Sequence, residues 1–246
     1  MPTLTSCYRV LMTLLLVCLA NGALAAEPTL FAPIKRNDIV ALRLLAEQNP
    51  TLLTERSDQG VSPLLFAAYN ERPEMVDFLR ERIREPSFFE ACVVGDLPAI
   101  RRFLALGTNI DQRSPDGFTP IGLAVFFRQP AVAKLLIDAG ADVNAKASNT
   151  LQVAPIHAAV ARSDLATLQL LLEAGANPDL TQQRLMRPIH EASAAGNLPV
   201  VAMLLFYGAD VQARNEEGKL PSEFANQAGH QALGKRLAIM ALDRPN

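Results

Sequence analysis

His157 and His190 stand 33 residues apart in a chain of 246 residues that holds three histidines in all. Two imidazoles brought onto neighbouring structural units could begin a metal site. A closed zinc site takes four ligands, however, and no cysteine or carboxylate pattern accompanies either histidine, so neither a metal nor a cofactor is expected. The chain also lacks a G-x-S-x-G elbow, a phosphate-cradling G-x-x-x-x-G-K-[ST] loop and an H-E-x-x-H string. No residue is assigned a catalytic role, and the expected activity is not enzymatic.

The 33-residue interval asks what element positions these residues. The stretch from Ala154 to Leu180 answers it, because six other stretches are versions of it. Pro155 suits the first turn of a helix, where its missing N–H has no partner to lose. Small residues at Ala158, Ala159 and Ala161 let a neighbouring backbone come close. Ser163 and Asp164 favour caps and turns. A second apolar run, with Leu165, Leu168, Leu170, Leu171 and Leu172 at helical spacing, stops at Gly175, which can end a helix in the left-handed conformation. A helix pair this thin cannot bury its own apolar face and needs copies on both sides.

The proline position of the unit recurs at Pro28, Pro63, Ser87, Pro120, Pro155, Pro188 and Pro221, in steps of 35, 24, 33, 35, 33 and 33. The strings TPIGLA (Thr119 to Ala124), APIHAA (Ala154 to Ala159), RPIHEA (Arg187 to Ala192) and LPSEFA (Leu220 to Ala225) open units, and GADVNA, GANPDL and GADVQA follow at fixed offsets. This pattern resembles the ankyrin-repeat family over roughly residues 27 to 240. The resemblance implies an all-α solenoid of about seven helix-pair units with short hairpin fingers, starting near 27, 62, 86, 119, 154, 187 and 220. It also implies that His157 and His190, at the motif histidine, hydrogen-bond within and between units, and that His230 is structural.

Residues 1–25 read as a secretion signal. Arg9 and the amino terminus supply positive charge, Val10 to Ala20 is apolar apart from Thr13, and Ala23-Leu24-Ala25 fits a small-residue cleavage site before Ala26. The run is short for a membrane span. The alternative is retention as an uncleaved anchor. The expected location is the periplasm, or secretion, with residues 26–246 as one repeat domain and no membrane span after cleavage. Removing the signal takes away Cys7 and Cys18, leaving Cys92 without a disulfide partner. Cys92 stands at the second small residue of its unit, a position normally packed between helices; a reactive or intermolecular thiol is the alternative. The remaining chain carries 22 basic and 25 acidic residues, a net charge of −3. No basic excess advertises nucleic acid.

Several details depart from the repeat. Pro33 falls in the first helix of unit one, predicting a short or bent helix, and Asn49 takes the place of a turn glycine. Between units two and three about nine residues are missing, and Arg84-Glu85-Pro86 replaces the turn and finger. The fingers before units five and six have no glycine and should be less regular. Lys235 and Arg236 suit a polar end cap.

In the ankyrin family, partners are usually held on the concave side by hairpin tips and exposed positions of the first helices. Carried onto this chain, Phe66, Tyr69, Val94, Leu123, Phe126 and Phe127, with Phe118 and Arg162, form an expected apolar partner-binding patch. The competing expectation is that some of these rings fill the space left by the missing finger. The function expected is a monomeric scaffold that binds a protein partner through its concave face. Alternatives are an immunity-like inhibitor of an incoming effector, a peroxide-defence accessory using Cys92, and a host-directed secreted effector.

Overall fold

The computed structural model describes residues 29–243, so the predicted signal segment lies outside the described residues. Those residues form fourteen α-helices and no strand. Seven inner helices alternate with seven outer ones. The pairs are α1 (Phe31–Arg36) with α2 (Ile39–Gln48), α3 (Pro63–Tyr69) with α4 (Pro73–Arg82), α5 (Phe88–Val94) with α6 (Leu97–Ala105), and α7 (Pro120–Phe126) with α8 (Pro130–Asp138). The last three are α9 (Pro155–Ala161) with α10 (Leu165–Glu173), α11 (Pro188–Ala194) with α12 (Leu198–Phe206), and α13 (Pro221–Gln227) with α14 (Gln231–Leu242). Successive inner helices pack side by side, giving the expected all-α solenoid.

Local chemistry explains where each inner helix starts. The hydroxyls of Ser62, Ser87 and Thr119 accept from the backbone N–H three residues on, at 3.3, 3.2 and 3.0 Å. Where the cap is Ala154, Arg187 or Leu220, the third helical residue reaches back instead: His157, His190 and Glu223 accept from the cap's own N–H at 3.2, 3.1 and 2.7 Å. Glu90 does the same for Ser87, completing a capping box. Ser87 therefore stands in the place of Thr119 rather than of Pro120, so unit three begins one residue later than its string suggests. Pro33 lies in the first turn of the six-residue α1, where it removes no helical bond.

The turns between paired helices each need one left-handed residue. It is glycine in three units, Gly95, Gly196 and Gly229, but Asn37, Glu71, Arg128 and Ser163 in the others. Asn49 does not serve as a left-handed turn. Its φ is −139°, and its side chain caps a short 3-10 turn, Pro50–Thr54, by accepting from Thr51 N–H.

The core divides at unit three. Ala91, Cys92 and Ile100 belong to a core running to Leu237, whereas Val93 joins a smaller one built on Leu64, Phe66, Tyr69 and Leu79 that also takes in Leu123 of unit four. The C-terminal helix presents Lys235 and Arg236 to solvent, together with exposed Ile239, Met240 and Leu242.

Candidate functional site

With no finger before unit three, the fingers before units two and four become neighbours. A Cβ placed on Gly60 would lie 2.7 Å from Cβ of Pro115. Side chains at the end of inner helix α3 consequently reach those at the end of α7 past unit three, and the Tyr69 and Phe127 rings lie 5.7 Å apart, tilted at 39° to one another. The Tyr69 phenol is buried, and desolvation together with the Asp116 carboxylate holds its pKa well above the usual value.

This contact corrects the expected exposed patch. Phe66, Tyr69, Leu123 and Phe126 are 5, 3, 2 and 9% exposed and lie in the core. Phe118 and Phe127 are half-buried against that core. Val94 is half-buried against the same core and lines a cleft together with residues of outer helices α4 and α6. The physical reason is the one-sided shortening: units two and four fill the missing finger's space with side chains, and large rings fill it best. The chain is thus not limited to contacts between adjacent units. Arg162 of unit five reaches Glu71 of unit two at 3.8 Å.

Two openings remain on that side: a small one of about 20 Å³ lined by Tyr69, Phe118, Leu123 and Phe126 among others, and a pocket of about 320 Å³ at the turn edge, lined by Glu71, Arg72, Val76, Phe127, Gln129 and Arg162 among others. Its polar groups are fixed by their neighbours. The Arg162 guanidinium lies over the Phe126 ring at 5.3 Å, Arg128 Nη2 donates to the Arg162 carbonyl at 2.7 Å, and Gln129 Nε2 donates to the Val93 carbonyl at 2.9 Å. Glu71 and Arg128 hold φ of 54° and 57°, where glycine would be less strained.

The fingers form a second surface. Main-chain bonds tie each tip from the finger before unit four onward to the next: Ser148 N–H to Gly117 O at 2.9 Å, Gln183 N–H to Leu151 O at 3.1 Å, and Glu216 N–H to Arg184 O at 3.0 Å. Their bases are joined by Asx side chains. Asp111, Asn144 and Asp179 accept from the N–H of Asp142, Asn177 and Asp210 in the following unit, at 3.0, 2.8 and 3.0 Å. At the tip before unit six, Arg184 and Leu185 sit at φ 61° and 53° in a turn that usually takes Asn-Gly. Leu185 is 53% exposed, while Arg184 pairs with Glu216 and Glu217. Sequence reasoning misses Glu71, Arg128 and Leu185; the glycine-free string TQQRLMRP is the one available signal, and it predicts irregularity rather than exposure.

The histidines serve the scaffold. His157 and His190 are 1 and 0% exposed, and each uses both ring nitrogens on backbone: Nδ1 accepts from the cap N–H, and Nε2 donates to the carbonyl of Leu180 or Ala213, at 2.9 and 3.1 Å. Burial lowers the His157 pKa to about 4, keeping the ring neutral. No nitrogen lone pair is left for a metal. Cys92 is 0% exposed and burial pushes its thiol far above the usual range, so it offers no thiolate to peroxide in the folded protein.

Comparison with known proteins agrees with this architecture. Residues 116–148 match the family pattern of the ankyrin repeat and residues 156–205 that of multiple ankyrin repeats. Ankyrin repeat protein YahD of Escherichia coli (strain K12) is 37% identical over 86 residues, which are 35% of this chain and 41% of that protein. Ankyrin repeat and SOCS box protein 16 of Homo sapiens is 30% identical over 128 residues, 48% of this chain and 27% of that protein. Alpha-latrotoxin-Lg1a of Latrodectus geometricus is 39% identical over 72 residues, 29% and 5% respectively. The match thus spans less than half the length of each of these relatives. Repeats of this kind are generally protein-binding scaffolds without enzymatic activity, and with capped helix pairs, motif histidines and linked fingers in place residues 116–148 and 156–205 are ankyrin repeats within a chain similar to ankyrin-repeat proteins.

Proposed function

We propose that the protein is an exported, periplasmic scaffold that holds one protein partner across its concave side, from the turn-edge pocket around Phe127 and Arg162 to the finger tip at Leu185. The observation that carries this reading is Leu185 itself. A leucine in a left-handed turn costs about 1–2 kcal/mol, and this one keeps 53% of its surface in water. Main-chain bonds hold the turn, but the exposed half of the side chain stays in water, and burial by a partner would recover that apolar area. Export rests on the composition of residues 1–25.

A photo-crosslinking residue placed in turn at 185, at 127 and, as a control, at 134 on outer helix α8 tests the surface in intact cells. The same adduct from 185 and 127, and none from 134, is the expected result. Equal adducts from all three, or none from 185, would refute concave-side binding. N-terminal sequencing of the protein recovered from a periplasmic fraction tests export, with Ala26 expected as the first residue.

A further inference from the structure

The short connector has a second consequence on the opposite side of the stack. Drawing units two and three together at their finger edge leaves outer helices α4 and α6 diverging across a cleft of about 380 Å³. Its floor is apolar, formed by Leu64, Ile83, Pro86 and Ala99, and its rim carries Arg80, Arg84 and Arg102. All three arginines are exposed.

The acids nearby do not neutralise this rim. Asp96 also lines the cleft, but its carboxylate caps α6 by accepting from Ala99 N–H at 2.9 Å. Asp77 approaches Arg80 only to 3.9 Å on an exposed surface, and Glu81 lies 3.9 Å from Arg82, whose guanidinium is stacked on Phe78 at 3.7 Å. Glu85 is exposed on the connector. Arg84 and Arg102 have no ion pair or side-chain hydrogen bond among the described residues. Two forked donors thus stand beside a floor whose accessible apolar surface comes from half-buried Ile83 and Pro86, with Leu64 and Ala99 buried beneath it.

We propose that this convex cleft is a second docking site, and that its occupant is an acidic peptide segment of a partner protein. Carboxylates of the segment take Arg84 and Arg102, and an apolar side chain between them enters the floor over Ile83 and Pro86. A guanidinium meets a carboxylate with two parallel N–H···O bonds, so paired acids flanking one apolar residue complement the rim in charge and the floor in polarity. The site is separate from the turn-edge pocket around Phe127 and Arg162, because the two share no lining residue and the arginines of this rim come from the outer helices and the connector.

Selection from displayed random peptides of about twelve residues, the length of a typical groove-binding segment, tests the assignment. The folded protein is the bait, with the Arg84→Ser, Arg102→Ser double variant in a parallel selection. Both residues are exposed, and circular dichroism confirms that the variant is folded. Enriched peptides should carry two or more Asp or Glu around an apolar residue. The best of them, labelled and followed by fluorescence anisotropy, should bind the double variant at least about tenfold more weakly, in line with losing two charge-assisted pairs. Its affinity should fall as NaCl rises from about 50 to about 300 mM, and a Leu185→Ser variant should bind it unchanged. Enriched peptides without acids, no enrichment, or equal binding by wild type and the double variant would each overturn the assignment. Loss of binding in Leu185→Ser with retention in the double variant would move the peptide to the finger surface.

Discussion

Glu191 stands in inner helix α11 where units two, four and seven place Phe66, Leu123 and Phe224, and it is 4% exposed. No hydrogen bond or ion pair meets its carboxyl among the described residues, and desolvation raises its pKa from 4.5 to about 8. A raised carboxyl pKa means that the folded state holds a proton which the unfolded state has already released. Stability therefore falls as pH climbs from 4.5 through 8, by about 1.4 kcal/mol per pH unit and about 5 kcal/mol in all. His157 works in the other direction. Its pKa is lowered from 6.5 to about 4, so its contribution is complete above 6.5 and lost as pH drops towards 4; that of His190 is lowered as well. Below pH 6.5 the opposed slopes offset one another, and above it Glu191 acts without that compensation. Urea unfolding followed by circular dichroism should accordingly show wild type losing about 2 kcal/mol between pH 6.5 and 8.5. Glu191→Gln, a neutral side chain of the same shape, should be flat over that window and more stable than wild type at pH 8.5. A flat wild-type profile, or an unchanged slope in the variant, would show that the carboxyl is hydrated in the folded protein.

Two further outcomes follow from backbone and burial. Gly175 has φ of +90°, and a Cβ added there would meet nothing within 4 Å, so Gly175→Val adds strain without a clash and should cost about 1–2 kcal/mol in the same unfolding experiment; a change below about 0.3 kcal/mol would contradict the strain argument. Cys92 should react with a thiol reagent in the folded protein only as fast as the chain opens, and at once in urea, because its sulfur is fully buried; rapid labelling of the native protein would show that unit three breathes around it.

The parts of the fold that sequence reveals are those decided within a few residues. Pro155 and Pro188 open helices because proline fits a first turn, Asp164 caps α10 because its carboxylate reaches Thr167 N–H at 3.1 Å, and Gly175 follows the helix end because it has no Cβ. Ser87 shows the same rule in reverse: in the repeat pattern it aligns with a proline, although its hydroxyl makes it a better cap, and the cap is what the local chemistry selects. Glu71 and Arg128 are illegible in sequence because nothing local favours a charged residue at positive φ. Leu185 is illegible because a turn without glycine states only that its backbone is strained, not which side chain the strain holds out to solvent.

Phe66, Tyr69 and Phe126 show where local pattern stops. Their spacing places them on one face of their helices, and the repeat makes that face concave, but exposure depends on how far apart units two and four stand. That separation is set by Arg84-Glu85-Pro86, a connector adjacent to none of the three rings in sequence. Shortening a stack along one edge tilts its units towards that edge, so side chains at the ends of inner helices α3 and α7 meet and the outer helices part. The burial of Tyr69 against Phe127 and the opening of the arginine-rimmed cleft between α4 and α6 are thus one geometric event seen from two sides.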